Sequence, residues 1–223
     1  MRIKNQAQLE ALLKASEERA KGRKAAPVPT VIPPGLLAVA KKNKPEQEIP
    51  VAEDRQWRLL GIDTALRKTG WGIIDAHGSQ FRAVDCGVIV NPPKASLTEC
   101  LRRLTLAIKS LLTEYNPDIA VIEGGFYCEN ARTAIILGTA RGAVLGVLSE
   151  AELPVYEYAP RKVKQSICGF GNASKGQVAL VISQMLGIQV QHLADDSTDA
   201  MGLAITHAQA MSMMSGLDLP KEL

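Results

Sequence analysis

Two acidic residues end two apolar segments of this sequence, where buried strands are expected to stop. Asp63 closes the run Leu-Leu-Gly-Ile-Asp, and Glu123 closes the run Ile-Ala-Val-Ile-Glu. Ligands of α/β sheets gather at the carboxyl ends of the strands, so these two carboxylates can converge on one cation. A buried carboxylate costs free energy unless something pairs with it. Each acid taken alone is also explained as a turn or capping residue.

A second acidic cluster begins the last helical segment. Asp196 and Asp199 are three residues apart, which places them on one helix face, and Asp195 is one turn from Asp199. Capping and the helix dipole explain such a cluster without any function. The conjunction with Asp63 and Glu123 is more informative, because four carboxylates then come from three separate elements. With only 3 histidines in the chain, an all-oxygen site is expected, which favours Mg²⁺ or Mn²⁺ over zinc.

The elements that must position these acids follow from the hydrophobic periodicity. An antiparallel meander of three strands is predicted first, and helices then alternate with two buried strands. The strands are predicted at 58–63, 70–75, 82–90, 118–123 and 155–158. The helices are predicted at 97–115, 130–151, 174–186 and 197–211. This order predicts an α/β fold with a mixed five-stranded sheet, three antiparallel strands and then two parallel ones, flanked by helices.

Charge and aromatic content divide the chain into a tail and a domain. Residues 1–56 hold 11 basic and 7 acidic residues and no aromatic residue. The whole chain has a net charge of +3. We therefore expect a basic, proline-containing N-terminal tail at 1–56 with a short helix at 5–21. A single folded domain is expected at 57–212, and a C-terminal tail at 213–223. The excess positive charge lies in the tail, so the total alone does not indicate nucleic-acid binding.

Cysteine spacing and apolar runs indicate the compartment. The 4 cysteines are far apart and form no Cys-x-x-Cys pair, so neither a zinc site nor a disulfide framework is predicted. The longest uninterrupted apolar run, near 36–40, is far shorter than the roughly 20 residues of a membrane helix. We expect a soluble cytoplasmic protein with no membrane partner.

Five segments between residues 57 and 209 stand out. They are Gly61-Ile-Asp-Thr-Ala-Leu-Arg-Lys-Thr-Gly-Trp-Gly-Ile-Ile, Val121-Ile-Glu-Gly-Gly-Phe, Asn130-Ala-Arg-Thr-Ala-Ile-Ile-Leu-Gly-Thr-Ala-Arg-Gly, Pro154-Val-Tyr-Glu-Tyr-Ala-Pro-Arg-Lys-Val-Lys-Gln and Asp196-Ser-Thr-Asp-Ala-Met-Gly-Leu-Ala-Ile-Thr-His. In this order they resemble the RuvC family of Holliday-junction resolvases. The resemblance implies an RNase H-like fold, a homodimer and Mg²⁺-dependent paired incision of a four-way DNA junction. It also implies a nucleoid-associated enzyme of a bacterial cell or a phage-infected host.

The resemblance carries site roles over to matching positions. It implies that two Mg²⁺ ions, with Mn²⁺ as a substitute, are held by Asp63, Glu123, Asp196 and Asp199. Asp195 lies outside the motif. Lys164 and Lys175 match family lysines at the active site, where they hold the scissile phosphate or stabilise transition-state charge. The alternative for each is a solvated lysine.

Further positions are expected to contact DNA. Phe126 resembles the family aromatic residue that stacks on unpaired bases at the junction centre, and the alternative is a core phenylalanine. Phosphate contacts are expected from residues that position DNA without reading its sequence, namely Arg132, Arg141, Arg161, Lys162, Lys164 and Lys175. For the arginines and Lys162, a solvated surface is the simpler interpretation.

Some features leave the function open between alternatives. Thr64-Ala65-Leu66 and Gly124-Gly125 depart from the family pattern beside the acids, so a less selective nuclease on branched, flap or replication DNA stays an alternative. A non-cleaving junction-binding protein is a third hypothesis, and an actin-like ATPase is disfavoured by length. Whether a branch-migration motor is a partner of this protein stays open. Small residues every four positions from Ala134 to Gly146 indicate either tight packing on the sheet or a dimer contact.

Overall fold

The computed structural model describes residues 55–124, 130–189, 194–212 and 219–223. Within these ranges the chain forms five strands and five helices. The strands are β1 (Trp57–Asp63), β2 (Lys68–His77), β3 (Gln80–Val90), β4 (Ile119–Glu123) and β5 (Val155–Tyr158). The helices are α1 (Leu97–Tyr115), α2 (Ala131–Glu150), α3 (Pro160–Cys168), α4 (Lys175–Leu186) and α5 (Asp195–Ser212).

The strands form one mixed sheet in the order β3-β2-β1-β4-β5. β1 is antiparallel to β2 and parallel to β4, and β4 is parallel to β5. The sheet predicted from the sequence is therefore confirmed. Because β1 and β4 run in the same direction, their final residues, Asp63 and Glu123, lie at the same edge of the sheet.

One face of the sheet packs against α3, α4 and α5, and glycines let α5 approach closely. A Cβ atom at Gly61 would overlap the carbonyl oxygen of Ala200, and one at Gly70 would overlap that of Asp196. The helix therefore lies directly on β1 and β2, with most of its middle turns buried. This close approach brings the acidic N-terminal turn of α5 to the end of β1.

The core of this face is a continuous apolar cluster with one buried histidine beside it. Leu59, Val121 and Tyr156 of the sheet belong to the same cluster as Ile182 of α4. His207 of α5 is fully buried, stacks on the ring of Tyr156 and lies 3.0 Å through Nδ1 from the hydroxyl of Tyr158. Burial lowers the pKa of His207 to about 4, so the imidazole is neutral in the native protein at ordinary pH.

The opposite face is also buried, through the alternate residues of the strands. Leu60, Ile62 and Ile73 are fully buried there. α1 and α2, which contribute nothing to the first cluster, pack on each other, and Lys109 forms an ion pair of 2.7 Å with Glu150. The helices thus form layers on both sides of the sheet, as the sequence predicted.

Helix α2 is more exposed than a core helix. Only Ala140, Val144, Val147 and Leu148 are buried, and Ile135 is 69% exposed. A Cβ atom at Gly138, Gly142 or Gly146 would meet nothing within 4 Å, so tight packing on the sheet is the wrong explanation for the small residues.

The same helix is, among the residues described, long and apolar enough to cross a membrane by length and composition. Its most apolar window has a mean hydropathy of 1.4 and is 22% buried. Arginines interrupt the apolar residues of this segment, so it does not form a continuous apolar run. Length and composition alone do not assign a helix to a membrane.

The structure corrects two predicted boundaries and adds one helix. β2 begins at Lys68 and extends to His77, and α5 already begins at Asp195. The segment after β5, where no helix was predicted, forms α3, with Pro160 in its first turn and Gly169, at a φ of 84°, after its end. Proline at a helix start and left-handed glycine after its end are favourable helix signals.

The two predicted tails lie largely outside the described residues. The expected helix at 5–21 is among residues not described, and so is the segment 213–218. At the C-terminal end, the backbone N–H of Leu223 donates to the carbonyl oxygen of Val155 at 3.0 Å. The last residue therefore lies beside β5.

Candidate active site

A cavity of about 290 Å³ lies at the carboxyl ends of β1 and β4. Its polar lining consists of the side chains of Asp63, Glu123, Asp199, Lys164 and Lys175. The remaining lining residues are Pro160, Val163, Val178, Gly202 and Leu203. The cavity thus combines three of the four predicted acids with both predicted lysines, on one sheet edge and three helices.

The carboxyl group of Asp63 is largely buried and lies among other negative charges. Its pKa is raised to about 7 by burial first, and then by the negative charges of Glu123, Asp199 and Asp196. Lys175 opposes this rise only as the smallest contribution. Asp196 does not line the cavity, so it acts on Asp63 through its charge.

The pKa of Glu123 is also raised, by burial and then by Asp199. Lys175 and Arg141 lower it. Both strand-end carboxylates therefore carry a free-energy cost when ionised together, since the cations nearby do not neutralise them. An excess of carboxylates over nearby cations is the electrostatic condition for binding a metal cation.

Lys175 is held at the mouth of the cavity by a well-formed helix start. The hydroxyl of Ser174 accepts a hydrogen bond from the backbone N–H of Gln177. The side-chain Oε1 of Gln177 in turn accepts one from the backbone N–H of Ser174 at 2.9 Å. This capping box fixes Lys175 in the first turn of α4. Its Nζ donates to Oδ2 of Asp199 at 3.1 Å, which raises the pKa of the lysine.

The donor set suits a hard divalent cation. All the acidic groups at this edge are carboxylates, and such oxygen donors are those that Mg²⁺ and Mn²⁺ prefer. In the part of the chain that the structure describes, no three acidic, histidine or cysteine side chains are close enough to hold an ion as they stand. The chemistry and charge of the site therefore fit a divalent cation.

The predicted DNA contacts have different surroundings. Arg161 and Lys162 are exposed in the first turn of α3, next to the Pro160 that lines the cavity, and Arg132 is exposed at the start of α2. The side chain of Arg161 packs against Gly171, where a Cβ atom would stand 2.5 Å from its Cγ. Phe126 lies outside the described residues.

Arg141, which the sequence assigned to DNA or to solvent, is an internal residue. Its side chain is 16% exposed, and its Nη1 donates to the carbonyl oxygen of Glu123. Its Nη2 donates to the carboxylate of Glu157 on β5. Neither the role of Arg141 nor that of Glu157 was found from sequence, although one signal existed: Glu157 is the lone acid within the buried strand Val-Tyr-Glu-Tyr.

Comparisons with known proteins agree with the motif order. Residues 59–207 match the family model described as Crossover junction endodeoxyribonuclease RuvC. The chain is 37% identical over 161 residues to the protein of that name from Roseiflexus sp., covering 72% of this chain and 96% of the relative. It is 39% identical over 161 residues to that from Bordetella parapertussis, covering 72% of this chain and 88% of the relative.

Solved structures give the same result. The chain is similar to "T. thermophilus RuvC in complex with Holliday junction substrate", with a TM-score of 0.68 and 29% identity, covering 75% of this chain and 99% of that one. A yeast mitochondrial Holliday junction resolvase, Ydc2, shares the fold at 12% identity, with a TM-score of 0.55 over 71% of this chain and 81% of that one.

Proposed function

Because this chain belongs to the RuvC family of crossover junction endodeoxyribonucleases, a family of metal-dependent nucleases, we propose that it resolves four-way DNA junctions by paired nicks. Its sheet and flanking helices are those of the RNase H-like structures to which it is similar. The observation that carries the proposal is the cavity where Asp63, Glu123 and Asp199 meet Lys164 and Lys175. Acids that need a cation and lysines that suit a phosphate thus share one site.

The acids are the proposed ligands of two Mg²⁺ ions per active site, with Mn²⁺ as a substitute. Asp63, Glu123 and Asp199 line the cavity, and Asp196 adjoins Asp63 from the first turn of α5. Two such ions would lower the pKa of the attacking water and stabilise the leaving oxygen of a phosphodiester. A bound cation would favour the ionised form of Asp63, whose pKa is raised by burial first and then by the neighbouring carboxylates.

The lysines and the apolar lining perform different tasks. Lys164 and Lys175 are proposed to hold the scissile phosphate and to offset charge that develops on it. Val163, Val178 and Leu203 are apolar residues of the same lining. They are proposed to limit the water around the reacting group.

DNA outside the cavity is proposed to be held by exposed cations and one aromatic residue. Arg161 and Lys162 are exposed cations in the first turn of α3, and Arg132 is an exposed cation at the start of α2. Such residues position the DNA backbone without reading its sequence. Phe126 is proposed to stack on unpaired bases at the junction centre.

A second copy of this chain is proposed to cover the exposed face of α2. The open space around Gly138, Gly142 and Gly146 lets another helix approach closely, and Ile135 is 69% exposed on the same helix. A dimer with two active sites matches a substrate with two equivalent strands. Because a Cβ atom at Gly142 meets nothing, Gly142→Gln should leave the protomer folded, yield monomers in sedimentation and abolish paired nicking. A dimer that survives this change would contradict the proposal.

The deciding experiment incubates the protein with a synthetic four-way junction and Mg²⁺ in the presence of competing linear duplex and flap DNA. We expect symmetric nicks in the junction, none without a divalent cation, and none with Asp63→Asn. Equal cutting of flaps would instead support the less selective nuclease that the altered turns at 64–66 and 124–125 leave open. Binding without cleavage would support a junction-binding module. We place this activity at the nucleoid in the cytoplasm, and a branch-migration motor is a hypothesis for its partner.

A further inference from the structure

We infer that Arg141 is a positioning residue that fixes the end of β4, so that the carboxylate of Glu123 faces the metal site, with Glu157 as its anchor. The inference rests on the proposed function only in taking the acid cavity as the metal site. Arg141, which the sequence predicted to contact DNA or solvent, and Glu157, for which the sequence predicted no role, both receive a structural role.

The guanidinium of Arg141 joins three elements. One of its nitrogens donates to the backbone carbonyl of Glu123 at the end of β4, and another donates to the carboxylate of Glu157 on β5. The side chain itself starts from the middle of α2 and is mostly buried. A planar guanidinium with several fixed donors can hold two acceptors in a set geometry, which a lysine ammonium cannot.

Glu123 needs this support because it lies past the end of one strand ladder. The pairing of β1 with β4 stops at Ile62 and Ile122, so Glu123 has a strand neighbour only on β5, where it is paired with Tyr158. The next backbone N–H, that of Gly124, donates to the carbonyl of Tyr158 at 2.9 Å. Without Arg141, the carbonyl of Glu123 would lose its side-chain donor, and the residue would be held from one side only.

Gly124 provides a second, independent observation. A Cβ atom there would stand 3.1 Å from the carboxylate carbon of Glu157 and 3.2 Å from its Oε2. The absence of a side chain at 124 therefore makes room for the same carboxylate that anchors Arg141. The short distances give a physical reason for the glycine that follows Glu123 in this chain.

The test measures Mn²⁺ binding by calorimetry without DNA, in the full-length protein. Arg141→Gln should weaken Mn²⁺ binding about tenfold, the lower end of what loss of a group that orients a metal ligand costs. Arg141→Lys should recover part of this affinity, since one ammonium keeps the charge but not both contacts. Arg82→Gln is the matched control, because it removes an exposed arginine that pairs with Asp75, at the end of the β1–β2 ladder opposite to Asp63, and it should bind Mn²⁺ as the wild type does.

Two milder variants keep the test valid if Arg141→Gln does not fold. Gly124→Ala should displace the carboxylate of Glu157 and weaken Mn²⁺ binding about threefold, a partial form of the same loss. Glu157→Gln keeps an amide oxygen for Arg141 and should have a similarly small effect. In junction cleavage, Arg141→Gln should shift the Mg²⁺ concentration for half-maximal rate by the same factor as Mn²⁺ affinity, with the rate at saturating Mg²⁺ little changed.

The outcomes separate the inference from the proposed function. Wild-type affinity for Mn²⁺ in Arg141→Gln, or an equal loss in Arg82→Gln, would overturn the positioning role. So would a fall in the saturated cleavage rate with unchanged metal binding. If the wild type binds Mn²⁺ but cuts no junction, the proposed function fails, and the calorimetric comparison of the variants still decides the role of Arg141.

Discussion

Asp63 and Asp75 are two aspartates of the same strand ladder with opposite surroundings. In the pairing of β1 with β2, Asp75 lies opposite Arg58 at one end, and Asp63 lies opposite Gly70 at the other. Asp75 is 4% exposed and receives donors from Arg58 at 2.7 and 3.0 Å and from Arg82 at 2.7 Å. These hydrogen bonds lower its pKa, although burial opposes them.

Asp63 has carboxylates for neighbours where Asp75 has guanidinium groups. Burial and the charges of Glu123, Asp199 and Asp196 raise its pKa to about 7. Within one sheet, two arginines therefore neutralise Asp75, whereas the main neighbours of Asp63 are carboxylates, which would favour a bound cation. A carboxylate that costs stability in a cavity indicates function more strongly than a buried carboxylate by itself.

The largest expected effect of this contrast is on catalysis. Asp63→Asn should reduce junction cleavage by about 10³-fold or more, because it removes a proposed ligand of the metal ions that would activate water and stabilise the leaving oxygen. Asp75→Asn should leave the cleavage rate per folded molecule within about threefold, since Asp75 is remote from the cavity. Single-turnover cleavage of a labelled junction measures both. Comparable losses in the two variants would remove the distinction between the two carboxylates.

The next effect concerns the pH dependence of stability without metal. The native state holds the proton of Asp63 up to about pH 7, whereas the unfolded state releases it near 3.8. The native state binds more protons between these values, so the free energy of unfolding falls as pH rises through this window. Across this window the free energy of unfolding should fall by an amount on the order of 4 kcal/mol. Denaturant unfolding in a chelator at several pH values measures it.

The matched control for that pH dependence is Asp63→Asn. The variant has no proton to lose, so its stability should exceed that of the wild type above pH 7 in the absence of metal. Parallel stability profiles of the two proteins from pH 4 to 7 would show that Asp63 is not held protonated. Added Mg²⁺ should stabilise only the wild type appreciably.

Sequence patterns predicted the ends of the strands well but not the difference between these two aspartates. Both Asp63 and Asp75 stand at the end of a predicted strand, so alternation and apolar runs describe them identically. The register decides between them, because it places Arg58 opposite Asp75 and a glycine opposite Asp63. Register depends on contacts between distant residues, which local periodicity does not contain.

The same limit explains what was missed around Glu123. The strand, the acid at its end and the family motif were all readable from local sequence. The bond from Arg141 was not, since it depends on how α2 is rotated against the ends of β4 and β5. Helix α3 was missed because its nine residues are too few for a clear periodicity.

A smaller effect is expected when the neutralised aspartate is altered. Asp75→Asn should lower the free energy of unfolding by about 2 kcal/mol at pH 7, less than for a fully buried pair, because its arginine partners reach solvent. Since its pKa is lowered, this stabilisation is present at neutral pH and is lost on acidification, opposite in sign to the effect of Asp63. Urea unfolding of both proteins at pH 7 measures the difference. A change below about 0.5 kcal/mol would mean that burial cancels the ion pairs.

The smallest effect separates the two guanidinium groups that hold Asp75. The side chain of Arg82 is 72% exposed and that of Arg58 is 34% exposed, and both contact Oδ2 of the aspartate. Arg82→Gln should therefore cost only about 0.5 kcal/mol, a value typical of exposed pairs and reduced further by 1 M salt. Arg58→Gln should cost more, because Arg58 also donates to the carbonyl of Tyr115 and supplies two of the three hydrogen bonds to Asp75. Equal losses in the two variants, measured by urea unfolding at low and high salt, would show that exposure does not decide how strongly this carboxylate is neutralised.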